Sequence, residues 1–323
     1  RRQRQMCIRD STNVGGAISN GFHGATTFYN AASRIGSIDG IFVGNYVLSE
    51  SGGALGGAII NASARKKKAY IDTIKGCFIG NYTRSNGRTA GGAIANYGGW
   101  VTEQADSLLP PPLESSEPVQ IGSINGEFAG NYSLSTSAEA MGGAIYNAIG
   151  IIGDLSGRFI GNYAKTESAS HPALGGAVYS ANDLTISADG TETLFRGNYT
   201  EDSRGKIYNA LSVVRLPDLI ENMLGSQLGE YNSIEFDTTG GGSVTVNDTI
   251  DTAKINIDLS SFSLSMEQDY SKTYNLLFKG DAKFDEYGLS DQYVAINNDV
   301  VNAGKVAVEG TTLRFGAYQH EDK

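Results

Sequence analysis

Ile35-Gly36-Ser37-Ile38-Asp39-Gly40-Ile41-Phe42-Val43-Gly44-Asn45-Tyr46 decides the fold, because the chain keeps returning to it. Its Phe-x-Gly-Asn-Tyr core recurs as Phe78-Ile79-Gly80-Asn81-Tyr82, Phe128-Ala129-Gly130-Asn131-Tyr132, Phe159-Ile160-Gly161-Asn162-Tyr163 and Phe195-Arg196-Gly197-Asn198-Tyr199. A second signature alternates with it: Gly15-Gly16-Ala17-Ile18, Gly56-Gly57-Ala58-Ile59, Gly91-Gly92-Ala93-Ile94, Gly142-Gly143-Ala144-Ile145 and Gly175-Gly176-Ala177-Val178. A degraded sixth copy is read at Arg204-Gly205-Lys206-Ile207-Tyr208-Asn209. A short two-part unit cannot bury its apolar face alone, so successive units must stack.

Successive Phe positions lie 36, 50, 31 and 36 residues apart, so each unit is one turn of chain with loops of variable length. The frame ahead of the Phe repeats as Ile71/Ile74/Gly76/Phe78, Ile121/Ile124/Gly126/Phe128 and Ile152/Leu155/Gly157/Phe159. β-Branched and aromatic residues at alternating positions signal strands, and no window sustains a 3.6-residue period. The residue before each Phe is Ile41, Cys77, Glu127, Arg158 or Leu194. A position that accepts anything faces out, so the Phe faces in. Each coil is expected to hold three short parallel strands: a Gly-Gly-Ala-Ile strand, an Ile-rich strand and a Phe strand. Parallel connections cross over right-handed. The expected fold is all-β, a right-handed parallel β-helix (β-solenoid) of about nine coils and roughly 40 Å.

The repeated polar residues fit such a coil. Gly44 and its equivalents, and the Gly pairs, suit corners with positive φ or close backbone approach. Asn45, Asn81, Asn131, Asn162 and Asn198 superpose from coil to coil, where their amides can bond along the stack. The Tyr that follows each is expected to stack on its copies. The Asn-Tyr-Ser/Thr sequons at Asn81, Asn131 and Asn198 are by-products of the repeat and weak glycosylation signals.

With 323 residues, 40% of them apolar, the chain can bury a sizeable core; 42 Gly and 19% charged residues describe a β-solenoid with polar loops. A net charge of −10 disfavours nucleic acid and anionic membrane surfaces as partners. No apolar run reaches the roughly 18 residues of a membrane helix. Of the two Cys, Cys77 sits at the outward position and Cys7 in an N-terminal stretch unlike the rest. Residues 5–11 resemble a translated sequencing adapter, so residues 1–11 are expected to be an artefactual tail. The repeat β-helix is assigned to 12–210, an irregular insertion or short helix to 211–232, and continuing coils to 233–323. The insertion is suggested by Pro217-Asp218 ahead of Leu219-Ile220 and Met223-Leu224. The later coils are read from Ser233–Phe236, Ser243–Val246, Ala253–Leu259, Leu276–Phe278, Val294–Ile296, Val306–Val308 and Leu313–Phe315.

Alternating Gly-Gly-Ala-Ile and Phe-x-x-Asn motifs over about residues 12–210 resemble the passenger domains of bacterial type V autotransporters, in particular those with polymorphic outer-membrane-protein repeats. The resemblance implies a β-helix at the bacterial cell surface, or secreted, exported through a C-terminal outer-membrane barrel and often serving adhesion. No barrel strands are recognised here, so the chain is expected to be a truncated fragment that lacks its caps. The expected partners are that barrel and a glycan or protein on a host or neighbouring cell; no cofactor is expected.

Two segments break the repeat and are candidates for display. Residues 97–120 hold Trp100 and the extended Pro110-Pro111-Pro112 run. Arg65-Lys66-Lys67-Lys68 is a basic cluster in an acidic chain. Enzyme signatures are missing: no Gly-x-Ser-x-Gly, no Cys/His metal spacing, and His23, His171 and His320 far apart. The expected function is a non-catalytic adhesin or stalk. The alternative is a carbohydrate-active β-helix enzyme, a polysaccharide lyase or glycoside hydrolase, which needs carboxylates or Arg converging on one sheet face. Asp39, Asp72, Asp154 and Asp183 are instead expected to lie apart.

Overall fold

The structure, a computed structural model, describes residues 13–21, 33–50, 52–62, 69–98, 119–148, 150–215, 233–254, 256–258, 263–265, 275–281, 283–301 and 303–316. Among these residues the chain is all-β, with no helix, and its strands run in long parallel sheets, as in a β-solenoid. One turn of chain passes through Ala54–Leu55, Ile59–Ala62, Ala69–Ile79 and Tyr82–Ser85, and each strand lies beside its counterpart in the next repeat. The pairing keeps equivalent residues together: Ile59 on Ile94, Ile71 on Ile121, Phe78 on Phe128, Tyr82 on Tyr132. We name the four resulting sheets short, Ile, long and Tyr, in that order.

The three-strand coil expected from the sequence needs correction. In the earlier repeats the Ile-rich and Phe segments are one strand of 11 residues, as in Val119–Ala129. Ile121 and Ile124 are both buried although three residues apart, so the strand changes phase between them. The same irregularity recurs in each copy and leaves the register intact. The Tyr strand and the two-residue short strand were not anticipated; their side chains lack the alternating apolar pattern.

After Gly150–Ile160 the long sheet forks. Leu184–Ser187 stacks on that strand's Ile half and Glu192–Arg196 on its Phe half, and later strands extend both arms. The Phe column continues as Phe195, Val246 and Ile296, so the core outlasts its motif, while Phe315, next in register, is exposed. The sixth Gly-Gly-Ala-Ile copy is displaced from its expected place. Gly205–Ile207 instead pairs antiparallel with Tyr199–Asp202, and Leu211 is the residue that stacks on Val178. The irregular insertion expected over 211–232 likewise starts late, since Leu211–Arg215 completes the strand Asn209–Arg215; 216–232 lie outside the described residues. The expected strand Ala253–Leu259 is divided: Thr249–Lys254 belongs to the Ile sheet, whereas Asn256–Asp258 pairs antiparallel with Ser263–Ser265.

Two apolar clusters carry most of the packing. In the larger, Ile59, Ile94 and Ile145 meet the Ile and Phe columns of the long sheet. Ile60, Ala95 and Tyr146, on the opposite face of the same strands, meet Leu55, Ala90 and Met141 of the short sheet. The Gly pair makes this turn possible. Gly142 takes φ +62, and a Cβ on Gly143 would lie 2.1 Å from the Gly176 carbonyl oxygen and 2.5 Å from Tyr163 backbone. The first Gly gives the corner its φ; the second lets two backbones touch.

Gly143→Ala is therefore expected to abolish the native fold, judged by circular dichroism. Gly130→Ala, at φ +60 with nothing within 4 Å, should lose only the roughly 1–2 kcal/mol of a left-handed residue. Phe128→Ala empties a fully buried site between two rings and should cost about 3–5 kcal/mol in denaturant unfolding. A smaller loss for Phe128 than for Phe42, which is 9% exposed at the edge of the stack, would contradict this packing.

Candidate functional site

The repeated residues build the interior. Phe42, Phe78, Phe128, Phe159 and Phe195 stack with ring centroids 4.6–4.8 Å apart. Beside them runs an amide ladder. The side-chain NH₂ of Asn131 donates to Asn162 Oδ1 at 2.9 Å and to the Phe78 carbonyl at 2.8 Å, while its Oδ1 accepts the backbone and side-chain N–H of Asn81. Asn45, Asn81 and Asn162 are linked along the same line, which runs through Asn198 to Asp248. Asp248 accepts from Gly197 N, Asn198 N and Asn198 Nδ2 and is fully buried. A carboxylate, which only accepts, suits the end of a ladder that arrives as donors. Since Asn81, Asn131 and Asn198 are buried, their sequons are closed to glycan.

A second ladder escaped the sequence reading. Asn20, Asn61, Asn96 and Asn147 are joined in turn at 2.8–2.9 Å and end on Ser180 Oγ at 3.0 Å. The signal was present: an Asn two residues after the Ile of four Gly-Gly-Ala-Ile copies. These amides also tie the Ile sheet to the long sheet, as when Asn61 Nδ2 donates to the Gln120 carbonyl.

Tyr46, Tyr82, Tyr132, Tyr163 and Tyr199 form a half-exposed column with centroids 4.8–5.2 Å apart. Their faces cover one another, so the column offers edges and hydroxyls, not a stacking platform for sugar rings. Burial, then the neighbouring Tyr132 and Tyr199, push the Tyr163 phenol up to about 12. The ammonium of Lys206 sits 4.2 Å from the Tyr199 ring centroid and 4.7 Å from that of Tyr208, closing the column.

The outward face of the long sheet carries several of the carboxylates singled out in the sequence. Asp72 is paired with Arg34 at 2.9 Å, Asp39 stacks on Lys75, and Asp154 aligns with Ser123, so these three carboxylates occupy different coil positions. Further along the sheet, Glu235 is paired with Lys279 at 3.0 Å. Asp154 does feel Asp237 and Asp189: burial first, then those two charges, raise its carboxyl above the usual range against the Ser187 hydroxyl and a backbone hydrogen bond from Leu155. Asp237 is engaged in its own turn by Thr239 N at 2.8 Å and Thr239 Oγ1 at 2.7 Å. Among the described residues, no three His, Cys, Asp or Glu side chains are grouped closely enough to hold a metal ion.

The display candidates Arg65, Lys66, Lys67, Lys68, Trp100, Pro110, Pro111 and Pro112 lie outside the described residues, as do residues 1–11. No protein-family model, curated protein or solved structure matches the chain.

The raised carboxyl of Asp154 gives a pH test. Its native form favours the proton, so its contribution is fully present below the unfolded value of about 3.9 and is lost as pH rises through the folded one. Asp154→Asn is expected to be more stable than the parent at neutral pH, with the gap closing near pH 3 in urea midpoints. A gap independent of pH would remove the charge argument.

Proposed function

We propose that this chain belongs to a bacterial type V passenger and forms a right-handed β-helix of about nine coils. It acts at the cell surface, or after secretion, as an adhesin or as the stalk that carries one. The observation that supports this reading best is the unbroken register of Ile71, Ile121 and Ile152, of the Phe stack and of both amide ladders along one axis. Every one of these contacts links a coil to the next, which gives a stiff spacer with loops free to vary at its sides. Its partners are a glycan or protein on another cell and an outer-membrane barrel of the same polypeptide. The group of Asp154, Asp189 and Asp237 is what favours the alternative, a carbohydrate-active enzyme. With Asp237 already bound in its turn, the adhesin or stalk is the better account.

The full-length gene is expected to continue into a C-terminal barrel, and its product to be labelled on intact cells by a membrane-impermeant biotin reagent. A full-length gene without barrel strands, together with a product that this reagent reaches only after lysis, would overturn the assignment.

A further inference from the structure

Another polar cluster sits at the corner between the Tyr and short strands, and register assembles it. Arg88, Glu139 and Pro172 immediately precede Thr89, Ala140 and Ala173, which stack on one another. Arg88 Nε accordingly meets Glu139 Oε2 at 2.9 Å, with side chains 12% and 3% exposed. Burial works against the Arg88 charge, but the Glu139 carboxylate outweighs it and keeps the guanidinium protonated. His171, beside Pro172, brings Nε2 to 4.0 Å from the other carboxylate oxygen and leaves 39% of its side chain exposed. Its Nδ1 lies 2.9 Å from Ser168 Oγ and 3.1 Å from Ser170 Oγ. When the Ser168 hydroxyl donates to Nδ1, the ring proton is on Nε2, facing Glu139.

We propose that Ser168, His171 and Glu139 form an acyl-transfer site for small O-acyl esters. Nucleophile and base are within hydrogen-bond distance and the buried acid lies 4.0 Å beyond the base, an arrangement that becomes a triad, whatever the fold or chain order, once the ring closes on the acid. Ser168 is preferred over exposed Ser170 because it is closer to Nδ1 and half-buried. Ser168 Oγ attacks the ester carbonyl carbon while its proton passes to His171 Nδ1. The intermediate collapses, the C–O bond to the alcohol breaks, and His171 returns the proton to the leaving oxygen. Water, deprotonated by His171, then attacks the acyl-Ser168 ester, releasing the carboxylic acid and restoring the serine. Glu139 is a positioning residue that faces His171 Nε2 across 4.0 Å and orients the ring as that gap closes, and Arg88 fixes Glu139 in turn. The Ala169 N–H, next after Ser168, makes no hydrogen bond among the described residues and can serve the developing oxyanion. The proposal goes beyond the rod reading, which stands whether or not this corner turns over esters.

The test uses the whole chain with a fluorescent fluorophosphonate and with p-nitrophenyl acetate. The expected result is one label, located at Ser168 by peptide mass. Ser168→Ala should abolish labelling, and His171→Ala should slow it about 100-fold, the low end of general-base effects, with recovery on adding imidazole. Ser37→Ala, on the outer face of the long sheet, should behave as the parent. Glu139→Gln should lower kcat for the acetate and leave KM in place. Labelling no faster than that of heat-denatured chain, or labelling that survives Ser168→Ala, overturns the proposal. Ser168 and His171 lie in a loop, so their variants decide the matter even if Glu139→Gln fails to fold.

Discussion

Everything in this molecule depends on one spacing. Parallel strands lie roughly 4.8 Å apart, so a residue in one coil meets the residue at the same coil position in the next. Only side chains that tolerate their own copies at that distance can occupy an interior column. Phenylalanine does so by offset ring stacking, isoleucine by branched packing, and asparagine by acting as donor and acceptor at once. The repeat in the sequence is the record of that demand. Its variable loops show where the demand lapses.

How much of this was legible follows from the same spacing. The Phe-x-Gly-Asn-Tyr and Gly-Gly-Ala-Ile motifs could be read because each needs a particular residue, whether a positive φ at Gly44 or a self-bonding amide at Asn131. The Tyr strand was harder to see: its inward positions, such as Thr83, Ser133 and Ala164, are small and show no apolar alternation. The merging of the Ile and Phe segments was hidden by the phase change between Ile121 and Ile124, which imitates a break. The second amide ladder was overlooked for a simpler reason, since the motif was read only as far as its Ile. Contacts among residues that do not repeat left no sequence signal at all. Glu139 and His171 are brought together by the pairing of Ala140 with Ala173, and only the stack reveals it.

The interior and exterior also divide the work. Inside, the two ladders and the Phe stack satisfy both packing and hydrogen bonding, so substitution there is constrained through the repeats that carry the motifs. Outside, Ile41, Cys77, Glu127 and Arg158 share one column without a common chemistry. A fold of this kind can change its surface coil by coil while its scaffold stays fixed.

The asparagine ladders have a direction. Each amide in both lines donates toward the later coil, from Asn45 to Asn198 in one and from Asn20 to Asn147 in the other. Their dipoles therefore add head to tail, as peptide dipoles do in a helix, and leave partial positive charge at the later end. Asp248 sits there, its buried carboxyl oxygens accepting at the positive pole of an axial array. The stack is thus electrically polar along its length, and its two ends are unlike even where their coils look the same.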